Sequence, residues 1–155
     1  MVKSSEFLLE RKIKMKLYLA SPFFNAEQVE REERLKKKLR SLGFEVFSPK
    51  ENCFCPPDAS QELRKKTFED NIHNIDNCDA IFVITNGKDM GTIFEAGYAY
   101  GIHKPIIYFC EGLTGQFNLM LAQSANVVLV NDSFTEHDID LAVHGTVVEY
   151  SGEVE

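Results

Sequence analysis

No run of this 155-residue chain is apolar for long enough to cross a bilayer, which sets aside a membrane-spanning helix. A surplus of basic residues is also missing. Lys and Arg number 17 against 24 Asp and Glu, a formal net charge of −7 with a pI near 5.2. Such a balance disfavours nucleic acid and anionic membrane surfaces and suits a small neutral or cationic ligand. The segment 21–25 (SPFFN) holds no glycine-rich cradle and no Lys or Arg, so a phosphate has no evident seat there. Cysteine is sparse. Cys53 and Cys55 are one residue apart, no His follows at ligand spacing, and Cys78 and Cys110 lie beside strand-like runs. That spacing reads as reduced thiols rather than a zinc site. His73, His103, His137 and His144 form no metal pair, and no metal or organic cofactor is expected. Internal repeats and low-complexity linkers are absent. Residues 1–14 lack the apolar core of a secretory signal. They are expected to be an extension outside the fold, with Met15 a possible alternative start, residues 15–155 a single domain, and the location cytoplasmic.

What remains is an ordinary globular composition, 44% hydrophobic and 26% charged, long enough to bury a substantial core. Short apolar runs alternate with helical patterns. Strands are expected at 16–21 (KLYLAS), 44–47, 79–85 (DAIFVIT), 105–110 and 126–130. Between them, Asn25 caps a helix with Gln28 at the capping-box position, and Gly43 ends it. Ser60 caps a second helix, with Leu63, Phe68, Ile72 and Ile75 as its apolar stripe. A third helix runs from the 85–90 loop to about position 103, and shorter ones cover 118–125 and 134–143. Residues 49–60 read as a long loop. Strands alternating with helices predict an α/β fold, a doubly wound five-stranded parallel sheet with helices on both faces. Ligands of such sheets sit beyond the C-terminal strand ends. The loops at that edge are 21–25, 48–52, 85–91 and 111–118.

One residue on that edge asks for an explanation. Glu95 lies in DMGTIFEAGYAYG, an apolar, small-residue run with no Lys or Arg within several positions. An unpaired carboxylate entering a packed helix is costly unless chemistry needs it; a carboxylate that caps a backbone amide is the plainer alternative. Asp89 and Glu95 straddle the loop-to-helix junction. Gly91 permits close backbone approach, and the nearby helix N-terminus is expected to keep Glu95 ionised. Ala96, Gly97, Ala99 and Gly101 would let this helix lie close to the sheet. Phe23 and Phe24 could stack on a planar heterocycle or plug the end of the core. Asn71 shares a helix face with Phe68 and Ile75 and should point inward, whereas Asp70 groups with Lys66 and Asn74 on the surface. Asn118 starts a helix, as an N-cap or a substrate contact. Tyr18 sits within the first strand, as core or with its hydroxyl at the site.

Five segments together carry a resemblance: LYLASPFFN, SPKEN, DNIHNIDNCDAIFVI, DMGTIFEAGYAYGIHKP and FNLM, spanning positions 16–120. They resemble the nucleoside 2-deoxyribosyltransferase family, and the spacing D-x-G-T-x-x-E-x-G is the most specific element. The resemblance implies a flavodoxin-like fold, a homo-oligomer with sites near subunit contacts, and 2'-deoxynucleosides with free purine or pyrimidine bases as partners. It implies ping-pong exchange of the base through a deoxyribosyl-enzyme ester. Glu95 matches the nucleophile, Asp89 the acid that holds the sugar hydroxyls, and Tyr18 the tyrosine near the nucleophile. Asn118, in the turn with Met120, matches the Asn offered to a neighbouring subunit's sugar site. Asn52 ends the SPKEN turn, a further substrate-binding candidate. Position 71 is often Asp in the family and is Asn here, which leaves protonation of the leaving base without its usual acid. The tail 147–155 has no counterpart to carry over. Two other readings share the fold: an N-glycosidase hydrolysing 2'-deoxynucleoside 5'-monophosphates, and a non-catalytic nucleotide-sensing module.

Overall fold

Five short apolar runs become five parallel strands, buried throughout in the two central ones at 80–84 and 106–109 and half-buried toward one edge at 127–129. The computed structural model describes residues 13–155, so the expected extension falls almost wholly on residues 1–12, outside the described residues. The strands are β1 (Lys16–Ala20), β2 (Glu45–Phe47), β3 (Ala80–Ile84), β4 (Ile106–Phe109) and β5 (Val127–Leu129). Their order is β2-β1-β3-β4-β5, all parallel, the flavodoxin-like order. The helices are α1 (Ala26–Ser41), α2 (Pro49–Asn52), α3 (Gln61–Asp76), α4 (Met90–Gly101), α5 (Leu119–Ser124) and α6 (Glu136–Val143).

Strand alternation divides the core into two halves. Leu17, Leu19, Phe82 and Ile84 face α1 and α6, where Leu35, Leu39 and Ile139 meet them. Tyr18, Ala20, Ile81 and Val83 face the opposite layer, with Ile75, Ala96, Ala99 and Ala122 of α3, α4 and α5. Tyr18 therefore lies under the helix that carries Glu95. In the middle of the sheet, β3 is fully buried, as a strand covered on both faces should be.

Capping follows the sequence closely. Asn25, Ser60 and Asn118 each accept a backbone N–H of the first turn of their helix, and Gly43 leaves α1 with φ of 98°. Gln28 departs from its capping-box role: its Oε1 accepts from Phe24 N, one residue before the cap.

Three expectations are corrected. Residues 49–60 are not loop throughout, because Pro49 opens the one-turn helix α2. Proline's fixed φ and missing N–H suit a first helical position. The stripe on α3 is buried only at its end: Ile75 is inaccessible, while Leu63 and Phe68 are 36% and 55% exposed. The main neighbour of α3 is α4, not a strand, and Phe68 rests on the equally exposed Phe94. On α4, Ala96 and Ala99 do face the sheet. Gly97 and Gly101 do not, since a Cβ added at either would meet nothing within 4 Å.

Candidate active site

The site grows from the N-terminus of α4. Asp89 caps that helix: its Oδ2 accepts from Thr92 N and from Thr92 Oγ1, both at 2.9 Å. Those bonds occupy one oxygen and leave Oδ1 for a ligand. Gly91 lies beside this cap, where an added Cβ would meet only Asp89 Oδ2, at 3.4 Å, an ordinary contact.

Glu95 stands one turn further, with Asp89 among the charges it feels. Burial pushes its carboxyl up to about 7, the Tyr18 phenol lowers it, and Asp89 raises it. No cation is among these influences. Burial thus works against the expectation that the helix N-terminus keeps Glu95 ionised. Glu95 is the sixth residue of α4, and the dipole's effect fades within the first turn. Desolvation wins there, and near neutral pH the carboxyl is poised between its two forms.

Tyr18 is completely buried and stacked on Phe47 at 5.5 Å. Burial first, then Glu95, drives its phenol far above the usual range. The two groups influence each other strongly, yet neither Tyr18 Oη nor Glu95 Oε2 makes a hydrogen bond among the described residues. Asn71 Oδ1, on α3 beside α4, is likewise buried without a partner. Four buried side-chain polar atoms lack a partner among the described residues, and three of them belong to Glu95, Tyr18 and Asn71. Each such atom costs about 1–3 kcal/mol. Concentrating that cost on three residues marked for one site is expected where hydrogen bonds close only around substrate.

Other candidates take more peripheral positions. Phe23 and Phe24 stack on each other at 5.4 Å, and Phe24 is 75% exposed, so it does not plug the core. Asn52 is exposed, and its Nδ2 donates to Ser48 O at 3.0 Å, which leaves its Oδ1 available. Asp70 pairs with Lys66 on the surface as expected. Asn118 and Met120 line a different cleft, a cavity of about 350 Å³ with Lys88, Ile93 and Phe117 on its walls and none of Glu95, Asp89 or Tyr18. The tail returns to this cleft. Phe117 N donates to Glu153 O, Leu119 N to Glu155 O, and Glu155 N to Phe117 O, so both neighbours of Asn118 are tied down.

The sequence marked Cys53 only as a reduced thiol, without placing it near Glu95. Cys53, just after α2, has its thiol raised by burial and by Asp70, and it also feels Glu95. Its place directly after Asn52 on an edge loop was the available signal. Among the described residues, no cluster of His, Cys, Asp and Glu is arranged to hold a metal, and no helix is long and apolar enough to cross a membrane.

A family model described as nucleoside 2-deoxyribosyltransferase matches residues 17–153. The chain belongs to that family. Among solved structures, the enzyme is similar to a 2-deoxyribosyltransferase from the psychrotolerant bacterium Bacillus psychrosaccharolyticus. Identity there is 34% and the TM-score 0.68, over 81% of this chain and 90% of that one. A conserved protein from Enterococcus faecalis shares the fold at 16% identity and a TM-score of 0.61, covering 85% of this chain and 98% of that one. So does a CMP N-glycosidase of Clostridium botulinum, at 21% identity and 0.54, over 81% and 97%. No curated protein matches the chain.

Proposed function

We propose that the enzyme exchanges the base of a 2'-deoxynucleoside for another free purine or pyrimidine, by a ping-pong route through a deoxyribosyl ester on Glu95. The observation that carries this is the coincidence of unpartnered buried polar atoms on Glu95, Tyr18 and Asn71. In the first half-reaction a Glu95 oxygen bonds to C1' as the glycosidic C–N bond breaks, and the electron pair leaves with the base. The transition state is oxocarbenium-like, as in a retaining glycosidase. In the second, a ring nitrogen of the acceptor attacks C1', the ester C–O bond breaks, and Glu95 regains its carboxylate while the acceptor gives up a proton. Two inversions return the β-nucleoside.

Asp89 holds the sugar hydroxyls through Oδ1, with Gly91 beside it. Tyr18 orients Glu95 and, by lowering its pKa, raises the attacking fraction. Asn71 hydrogen-bonds the base; an amide both donates and accepts but supplies no proton. Phe23, Phe24 and Asn52 complete the base side. Asn118 and Met120 line a cleft whose walls do not include Glu95, which is compatible with their serving the site of a second copy in a cytoplasmic homo-oligomer. Exposed Met90, Phe94, Tyr100 and Met120 supply apolar surface for that contact.

The test is incubation with a 2'-deoxynucleoside, with and without a second free base, followed by chromatography. Exchange is expected only when the second base is present. Equally fast release of free base and sugar in both would instead mark a hydrolase, and no turnover a binding module.

A further inference from the structure

The loop that delivers Asp89 has little apolar anchorage. Asn86 is half-buried, and Gly87 and Lys88 are exposed. Gly87 and Lys88 both adopt left-handed backbone, with φ of 90° and 50°. For Lys88 that conformation is strained and persists only where the surroundings impose it.

A backbone bond from Lys88 N to Thr85 O at 3.0 Å closes the turn, and one side chain anchors it to the rest of the fold. Asn86 Nδ2 donates to Glu111 O at 3.0 Å, and Asn86 Oδ1 accepts from Glu111 N at 2.7 Å. The amide thus pairs with the backbone of the next edge loop as a strand neighbour would. Glu111 is itself pinned. Its carboxylate accepts from Arg31 Nε at 2.7 Å and from Arg34 Nη2 at 2.7 Å, and Arg31 is buried. Charge-assisted bonds of this kind are roughly twice as strong as neutral ones. Both arginines stand on α1, braced by Glu27 and Glu30 at 2.8 Å each. The loop also rests on α1 directly, since a Cβ at Gly87 would come within 3.1 Å of Gln28 Nε2.

We propose that Asn86 is a positioning residue that, through Glu111 and the α1 arginines, sets where Asp89 meets the sugar. It touches no substrate. The inference rests on the role given to Asp89 above. Losing the clasp leaves Asp89 capping α4 but frees the strained turn before it, so the carboxylate drifts from the hydroxyls it holds.

The experiment compares kcat/KM for a 2'-deoxynucleoside with its 2',3'- and 2',5'-dideoxy analogues, each lacking one hydroxyl. It uses the full chain, Asn86→Ala, Asp89→Ala and the double variant. Asn86→Ala is expected to lower kcat/KM for the 2'-deoxynucleoside about tenfold, less than the hundredfold that a 1 Å misplacement can cost. The analogue lacking the hydroxyl that Asp89 holds should be affected no more than about twofold, so hydroxyl preference shrinks toward that of Asp89→Ala. Because the two residues act as a unit, the double variant should be no worse than Asp89→Ala alone. Equal losses for all three substrates, or multiplicative losses in the double variant, would overturn the inference. If Asp89→Ala itself leaves hydroxyl preference intact, the role of Asp89 fails, and this inference with it. Should Asn86→Ala not fold, Glu111→Gln loosens the same anchor with the backbone pairing kept. It is expected to show the same substrate pattern to a smaller degree, and an unchanged preference in that variant would equally overturn the inference.

Discussion

Replacing Glu95 by Gln removes a charge from a place that resists it, and the effect on stability should depend on pH in a defined sense. Burial and Asp89 raise the folded-state pKa of Glu95 from 4.5 to about 7. Below pH 4.5 the carboxyl is protonated in both folded and unfolded chains, and its burial carries no charge penalty. Between 4.5 and 7 the unfolded chain releases its proton while the folded one keeps it, so stability falls as pH rises. Above 7 the full penalty applies, at most about 3 kcal/mol at 1.36 kcal/mol per pH unit. The Gln amide is nearly isosteric and never ionises. The variant should therefore match the native protein near pH 4.5 and exceed it at pH 8 by up to roughly 6–12 °C in Tm, at 2–4 °C per kcal/mol for a chain of this size. Thermal unfolding followed by circular dichroism at pH 4.5, 6, 7 and 8 reads this directly. A Tm difference that stays constant with pH, or is largest in acid, would refute the burial of an ionisable Glu95.

Tyr18→Phe should leave stability unchanged or raise it by up to about 3 kcal/mol, because the buried hydroxyl that is lost closes no hydrogen bond. The same change removes the group that lowers the Glu95 pKa, so the acid limb of the kcat/KM profile should move to higher pH; an unmoved limb contradicts the pairing. Asn71→Asp should change the ratio of rates among bases, measured by competition between purine and pyrimidine acceptors, and equal changes for all would remove Asn71 from the base side. Sedimentation at micromolar concentration should give a species well above the 17.7 kDa of one chain. A fully active monomer would leave Asn118 without the role proposed for it.

The layered fold was legible because its signals are local. The runs AIFVI and IIYF are continuous and buried on both faces, and Asn25, Ser60 and Asn118 carry the capping chemistry that ends uncertainty about helix starts. Glu95 stood out for the same reason, a carboxylate in a run without cations. What local pattern cannot supply is depth and partnership. The ionisation of Glu95 turns on how far along α4 it sits and on what covers it, which spacing from the helix start alone does not reveal. Helix α2 buries none of its own residues. It is fastened by Lys36 to Glu51 at 2.9 Å and by Ser48 to Glu32 at 2.9 Å, contacts between separate segments. Asn86 and Glu111 are 25 positions apart, so their clasp leaves no periodic trace. The exposed half of α3 looked like core because a stripe of apolar residues serves an internal face and an external contact equally well.

The central claim is that Glu95 becomes covalently bound to deoxyribose. Acid quenching of the enzyme after mixing with a 2'-deoxynucleoside in the absence of any acceptor base, followed by digestion and mass spectrometry, tests it most directly. The account predicts one added deoxyribosyl group on the peptide containing Glu95, lost when a free base is added before the quench and absent in Glu95→Gln. An adduct mapped to Asp89, or Glu95→Gln exchanging bases at close to the native rate, would contradict it.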